Sequence, residues 1–148
     1  MKKIFLALAL MPTLCFAQWT YKRVDNGLDD PYNIAYNQNK QGSILKLENI
    51  EGEICFYLSN GYFCEDNPIT EVAFKIGEQW SKFEFRSAKS TDNSALFLTF
   101  NLNGDPILTQ AFKSASMVTI RVNDGICGSD IYDFSMGNST NAFNFMLK

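Results

Sequence analysis

The sequence predicts a mainly β chain, an antiparallel β-sandwich that also carries two short α-helices. Three observations predict it. Apolar and polar residues alternate from one position to the next in successive runs, as with Val72, Phe74 and Ile76 against Lys75, and such alternation marks strands buried on one face. Turn-forming pairs punctuate the runs at short intervals, among them Asn26-Gly27, Asn60-Gly61, Gly77-Glu78 and Asp124-Gly125. Two stretches leave the alternation and take up helical spacing, one after Asp105-Pro106 and one after Ser139.

Trp19 to Val24 reads as a first strand, and Asn26 to Pro31 as a loop. Ile34 to Tyr36 suits a short edge strand, and Ser43 to Glu48 alternates again. Glu53 to Leu58 and Gly61 to Cys64 form the expected arms of a hairpin turning at Asn60-Gly61, the strongest short-range hairpin signal. Val72 to Ile76 follows. Phe83 and Phe85 then alternate with Lys82, Glu84 and Arg86, and Leu96, Leu98 and Phe100 repeat the pattern. Asp105 is a good N-cap and Pro106 suits the first helical position, so Ile107, Leu108, Ala111, Phe112 and Ala115 line one helix face. Val118, Ile120 and Val122 return to strand spacing, and Ile131 to Phe134 is a late strand. Ser139 is placed to cap a last helix whose Phe143, Met146 and Leu147 pack on the sheet. The sequon Asn138-Ser139-Thr140 is read as that cap.

The chain is expected to begin with a leader. Met1-Lys2-Lys3 is a basic start, Ile4 to Leu14 is apolar, and Cys15-Phe16-Ala17 supplies small residues at a cleavage site before Gln18. This is a Sec-type secretory signal of bacterial style. It sets residues 1–17 apart from one β-rich domain over 18–148, and it places the domain in the periplasm or outside the cell. The apolar run is shorter than a membrane span, and no second long one follows, so the mature chain is expected to have no integral membrane segment. Cleavage leaves 131 of the 148 residues, and the loss of two lysines and no acids takes the formal charge from −3 to −5. An acidic chain with scattered lysines lacks the basic stripe of a nucleic-acid binder.

Three cysteines then remain, Cys55, Cys64 and Cys127, in a compartment where disulfides persist. An Asn60-Gly61 turn sets Cys55 and Cys64 on one face but diagonally, and a slip to a Ser59-Asn60 turn sets them directly opposite. A Cys55–Cys64 bridge is expected, with a bridge from Cys127 to either of them as the rival. No CxxC pair is present, and the chain has no histidine. That absence removes Ser-His-Asp and Cys-His catalysis and imidazole metal sites. Neither GxSxG, SxxK nor a glycine-rich phosphate loop occurs, and no cofactor is implied. Paired acids could still work without histidine, but Asp29-Asp30 and Glu65-Asp66 sit in turn-like sequence. Asn103-Gly104-Asp105 matches only part of a calcium loop and serves better as the turn into the helix cap.

The order of features resembles the periplasmic accessory proteins associated with type VI secretion (TagO/VasI-like). The residues that carry the resemblance are Trp19, Leu28-Asp29-Asp30, Ser90 to Asn93 before Ala95-Leu96, Leu108 to Phe112, Val118 to Val122, and Phe134 to Gly137 with Ala142. It implies binding without catalysis and transfers no site. The expectation is a non-enzymatic binding or accessory protein that works through protein contacts. An envelope-glycan module using exposed aromatics, an inhibitor or immunity-type protein, and a phage-encoded envelope protein are the alternatives. The residues chosen for contact are Trp19, Tyr62, Trp80, Arg86 and Arg121, because exposed aromatics and arginines anchor interfaces.

Overall fold

The computed structural model describes residues 19–28 and 30–148, so the expected leader and Asp29 lie outside the described residues. The strands are β1 (Thr20–Val24), β2 (Tyr32–Gln38), β3 (Ile44–Ile50), β4 (Glu53–Ser59), β5 (Ile69–Ile76), β6 (Gln79–Lys89), β7 (Ala95–Asn101), β8 (Met117–Asp124) and β9 (Gly128–Ser135). Helix α1 (Pro106–Ser114) precedes β8, and α2 (Ser139–Met146) follows β9. The strands form one nine-stranded antiparallel sheet in the order β1-β2-β3-β4-β7-β6-β5-β8-β9. The mainly β class with two short helices is as expected.

The two layers of the expected sandwich are halves of this continuous sheet, joined through β6. Gln79 to Arg86 pair with β5, while Ser87 to Lys89 pair with β7. At the changeover the buried Ser87 hydroxyl donates to Thr70 Oγ1 at 2.8 Å, which satisfies a polar pair that burial would otherwise penalise. Leu45, Leu47, Phe56 and Leu98 from one half, and Val72, Phe74, Ile120 and Phe134 from the other, enter one hydrophobic cluster. Phe112 on α1 binds the halves together. Its ring centroid lies 5.6 Å from Phe56, 6.3 Å from Phe74, 5.9 Å from Trp19 and 6.3 Å from Phe143.

Local chemistry sets the helix ends. Asp105 caps α1 as expected, accepting from the Ile107 and Leu108 amides. Ser139 does not cap α2. That place falls to Asn138 in the left-handed region, with no side-chain bond. The Ser139 and Thr140 hydroxyls instead donate to the Lys113 carbonyl at the end of α1, a group that a helix leaves unpaired. Buried or half-buried asparagines pin the rest: Asn33 donates to Phe145 O, Asn49 to Met146 O and Asn37 to Ser135 O.

Two strand assignments change. Ile34 to Tyr36 is not an edge. It belongs to seven-residue β2, paired with β1 on one side and β3 on the other. The hairpin expected at Asn60-Gly61 does not form, and β4 pairs with β3 and β7. Asn60 is indeed left-handed, at φ 62°, but the chain then runs as a loop whose Gly61 and Phe63 amides donate to Ser94 O and Asn93 O. Gly61 is needed there for closeness. A Cβ on it would lie 2.4 Å from the buried Phe63 ring.

Candidate functional site

The disulfide joins Cys64 to Cys127, with Cα atoms 5.8 Å apart, and Cys55 is free and buried. The expected Cys55–Cys64 bridge is therefore corrected, because the hairpin that would have put those residues on one face is absent and Cys127 takes Cys64 instead. Cys64 sits on the loop 60–68, and Cys127 on the β8–β9 turn. Asp124 holds both. One of its carboxylate oxygens accepts from the Cys64 and Glu65 amides, the other from the Ile126 and Cys127 amides. Burial pushes this carboxyl up, but the four amides outweigh it and hold it at about 2. Glu65 accepts from the Gly125 amide, while Lys89 pairs with Asp66 and donates to Cys64 O.

Cys64, Cys127 and Asp124 do bring potential metal-ligand atoms within 4.8 Å. The sulfurs are committed to the bridge, however, and each carboxylate oxygen already accepts two hydrogen bonds. The cluster is a structural knot. Glu65 and Asp66, singled out above as acids, are part of it, and Asp30 is exposed. Asn103 ties the Ile54 amide and the Gly52 carbonyl together.

The residues chosen for contact fall in three places. Trp19 is in the core, 5% exposed and edge-on to Phe112, so it offers no docking surface. The apolar packing that consumes it also buries its indole N–H without a hydrogen-bond partner. Tyr62 is 67% exposed on the loop 60–68. Trp80, Arg86 and Arg121 share the outer face of β6-β5-β8-β9. That face carries cross-strand rows, among them Glu84–Glu71–Arg121–Ile131 and Trp80–Lys75–Met117–Ser135. Charges dominate it. Arg121 pairs with Glu71 at 3.2 Å, and Asn123 donates to the same carboxylate.

The outer face of the other half differs in kind. Opposite the core-facing Ala35, Leu45, Leu47, Phe56 and Leu58, it carries Ile34, Tyr36, Ile44, Tyr57 and Phe97, all half-buried. Register places Tyr36, Lys46, Tyr57 and Phe97 in one row across β2, β3, β4 and β7, a span of about 14 Å at the usual strand spacing. The Tyr57 and Phe97 rings lie 5.1 Å apart, and the Lys46 ammonium sits 4.4 Å over Tyr57 while pairing with Glu48. Burial first, and the Glu48 carboxylate next, push the Tyr57 phenol up to about 12. The Cys55 thiol on the same face is pushed up by burial, then by Glu53 and Glu48, which keeps it a protonated, inert thiol. This row was not among the residues chosen from sequence. Its signal was present in the unbroken apolar runs Ile34-Ala35-Tyr36 and Leu96-Phe97-Leu98, which are apolar on both faces of a strand.

No helix among the described residues is long and apolar enough to cross a membrane, and the disulfide is compatible with an extracytoplasmic setting. No protein-family model matches the chain, and no curated protein matches it. Among solved structures, the chain is similar in fold to the crystal structure of invasion associated protein B from Bartonella henselae. The TM-score is 0.61 at 11% identity, over 89% of this chain and 93% of that one. This likeness concerns the fold, and it lends nothing specific to the type VI secretion resemblance.

Proposed function

We propose that this chain is an exported, non-enzymatic binding protein that docks a partner protein through the outer face of β2, β3, β4 and β7. The observation that carries this reading is the apolar row through Tyr36, Lys46, Tyr57 and Phe97, with Ile34 and Ile44 beside it. A sheet face turned away from the core is normally polar. A contiguous apolar one marks an interaction site, and aromatic rings with a central cation suit the core of a protein interface. Aliphatic neighbours favour a protein over a sugar, which needs hydrogen-bonding groups around its stacking ring. The type VI resemblance is in keeping with export and action on partners, while the likeness to invasion associated protein B bears on the fold.

Site-specific photocrosslinking in envelope extracts tests the reading. A crosslinker at Phe97 is expected to capture a defined protein, and one at Glu84 on the charged half is expected to capture none. Capture from Glu84 with none from Phe97 would overturn it, as would capture of glycan alone.

A further inference from the structure

We propose that copies of this chain join head to tail, with β1 of one copy adding to the free edge of β9 in the next. The sheet is open. Among the described residues β1 pairs only with β2 and β9 only with β8, so each presents one edge that no strand pairs, although Ser135 O at the end of β9 already accepts from the Asn37 side chain. Both strands are exposed along most of their length. Unpaired edges are templates for further strands.

The two edges carry opposite charge. β1 reads Thr20-Tyr21-Lys22-Arg23-Val24, with two cations and no acid, and neither cation makes an ion pair among the described residues. β9 reads Gly128 to Ser135 with Asp130 and Asp133 and no base. A two-fold seam of β1 on β1 would gather four cations, and one of β9 on β9 four carboxylates. A β1–β9 seam gathers opposite signs instead, and like charges across a strand pair are destabilising.

The facing of the side chains allows a register that suits the charges. In β1 the even-numbered residues face outward, since Lys22 pairs with Ile34, and in β9 the odd-numbered ones do, since Asp133 pairs with Thr119 and Ile131 with Arg121. An antiparallel seam that keeps both outer faces on one side must set even against odd. One such register puts Lys22 opposite Asp133 and Val24 opposite Ile131, and it runs out at Thr20, which meets Ser135, whose carbonyl is taken by Asn37. On the inner side it sets Arg23 against Tyr132. Ile131 is 58% exposed in the single chain, and this seam gives it a β-branched neighbour. Such a contact joins two different surfaces, so it propagates into a ring or a filament. Only five residues of β1 can pair, so the association is weak and depends on concentration.

Sedimentation velocity on the exported protein, from micromolar to millimolar concentration and at low and high salt, tests the proposal. Species larger than a dimer are expected at high concentration, receding as salt rises. Lys22→Glu and Asp133→Lys, each alone, should weaken association about tenfold. An equimolar mixture of the two variants restores an attractive pair at every seam and should regain the wild-type assembly, as should the double variant. A chain that stays monomeric throughout overturns the proposal. So do single variants that assemble like wild type, or a mixture that gives no recovery.

Discussion

The half of the sheet that opens the chain and the half that follows β6 share a core but meet their surroundings differently. In β6-β5-β8-β9 the outer rows mix charges that partner one another, as Arg121 does with Glu71. That face is largely open to water, and it also leaves Trp80 and Ile131 exposed among its charges. In β2-β3-β4-β7 the corresponding rows are filled by Tyr36, Tyr57, Phe97 and two isoleucines, with Lys46 and Glu48 neutralising each other among them. Equal alternation in sequence thus produces a solvated face on one side and an apolar one on the other. What separates them is the chemistry of the outward residue, while the period is the same.

Targeted substitutions test this contrast. Phe112→Ala removes the ring on which both halves rest, and it should cost about 4 kcal/mol. Hydrogen exchange should then show β3 and β5 losing protection together. Loss confined to one half would mean that the core is not shared. Replacing Cys64 and Cys127 by serine opens a link spanning 63 residues and should lower stability to urea by about 4 kcal/mol, with the loss of order centred on the loop 60–68 and the β8–β9 turn.

Asp124→Ala should cost about 3 kcal/mol, since four amides lose their acceptor. Its acid dependence has a definite sign. The folded carboxyl titrates at about 2, below the roughly 3.9 of an unfolded chain. Its contribution is therefore complete above pH about 4 and is lost as pH falls through about 2. In Asp124→Asn the slope of stability across that window should flatten, which acid titration followed by circular dichroism will measure.

The smallest effects compare the faces directly. Tyr57→Ala should cost about 1.5 kcal/mol through its contacts with Phe97 and Lys46. Arg121→Ala should stay within about 0.5 kcal/mol because its ion pair is exposed. Urea midpoints of the two variants that prove equal would erase the distinction between the faces.

Much of this architecture is written locally. Asp105-Pro106 announces α1 because its cap needs nothing beyond the next two amides. β5 and β6 are legible because one side of each is buried and the other wet. The failures share a physical cause, which is that the deciding partner is remote in sequence. Asn60 adopts its turn conformation, yet the next amides are claimed by Ser94 and Asn93, and this moves Cys64 away from Cys55. Ser139 looks like a cap for the helix after it, but its hydroxyl finds the carbonyl of Lys113. Trp19 resembles a surface anchor until Phe112 arrives beside it. In the candidate site, the outward tyrosines of β2 and β4 were hidden inside runs that resemble ordinary core strands.

The position of the disulfide has a bearing on the order of assembly. A ribosome delivers Cys55 and Cys64 well before Cys127, so an oxidase acting on the emerging chain first meets the wrong pair of thiols. Two features then favour the right one. Cys55 is buried on β4 between β3 and β7, and Asp124 accepts from the Cys64 and Cys127 amides alike. For a chain exported as proposed above, oxidative maturation would set early chemistry against late geometry. A disulfide isomerase should raise the yield of chain bridged Cys64–Cys127 more than a faster oxidant does.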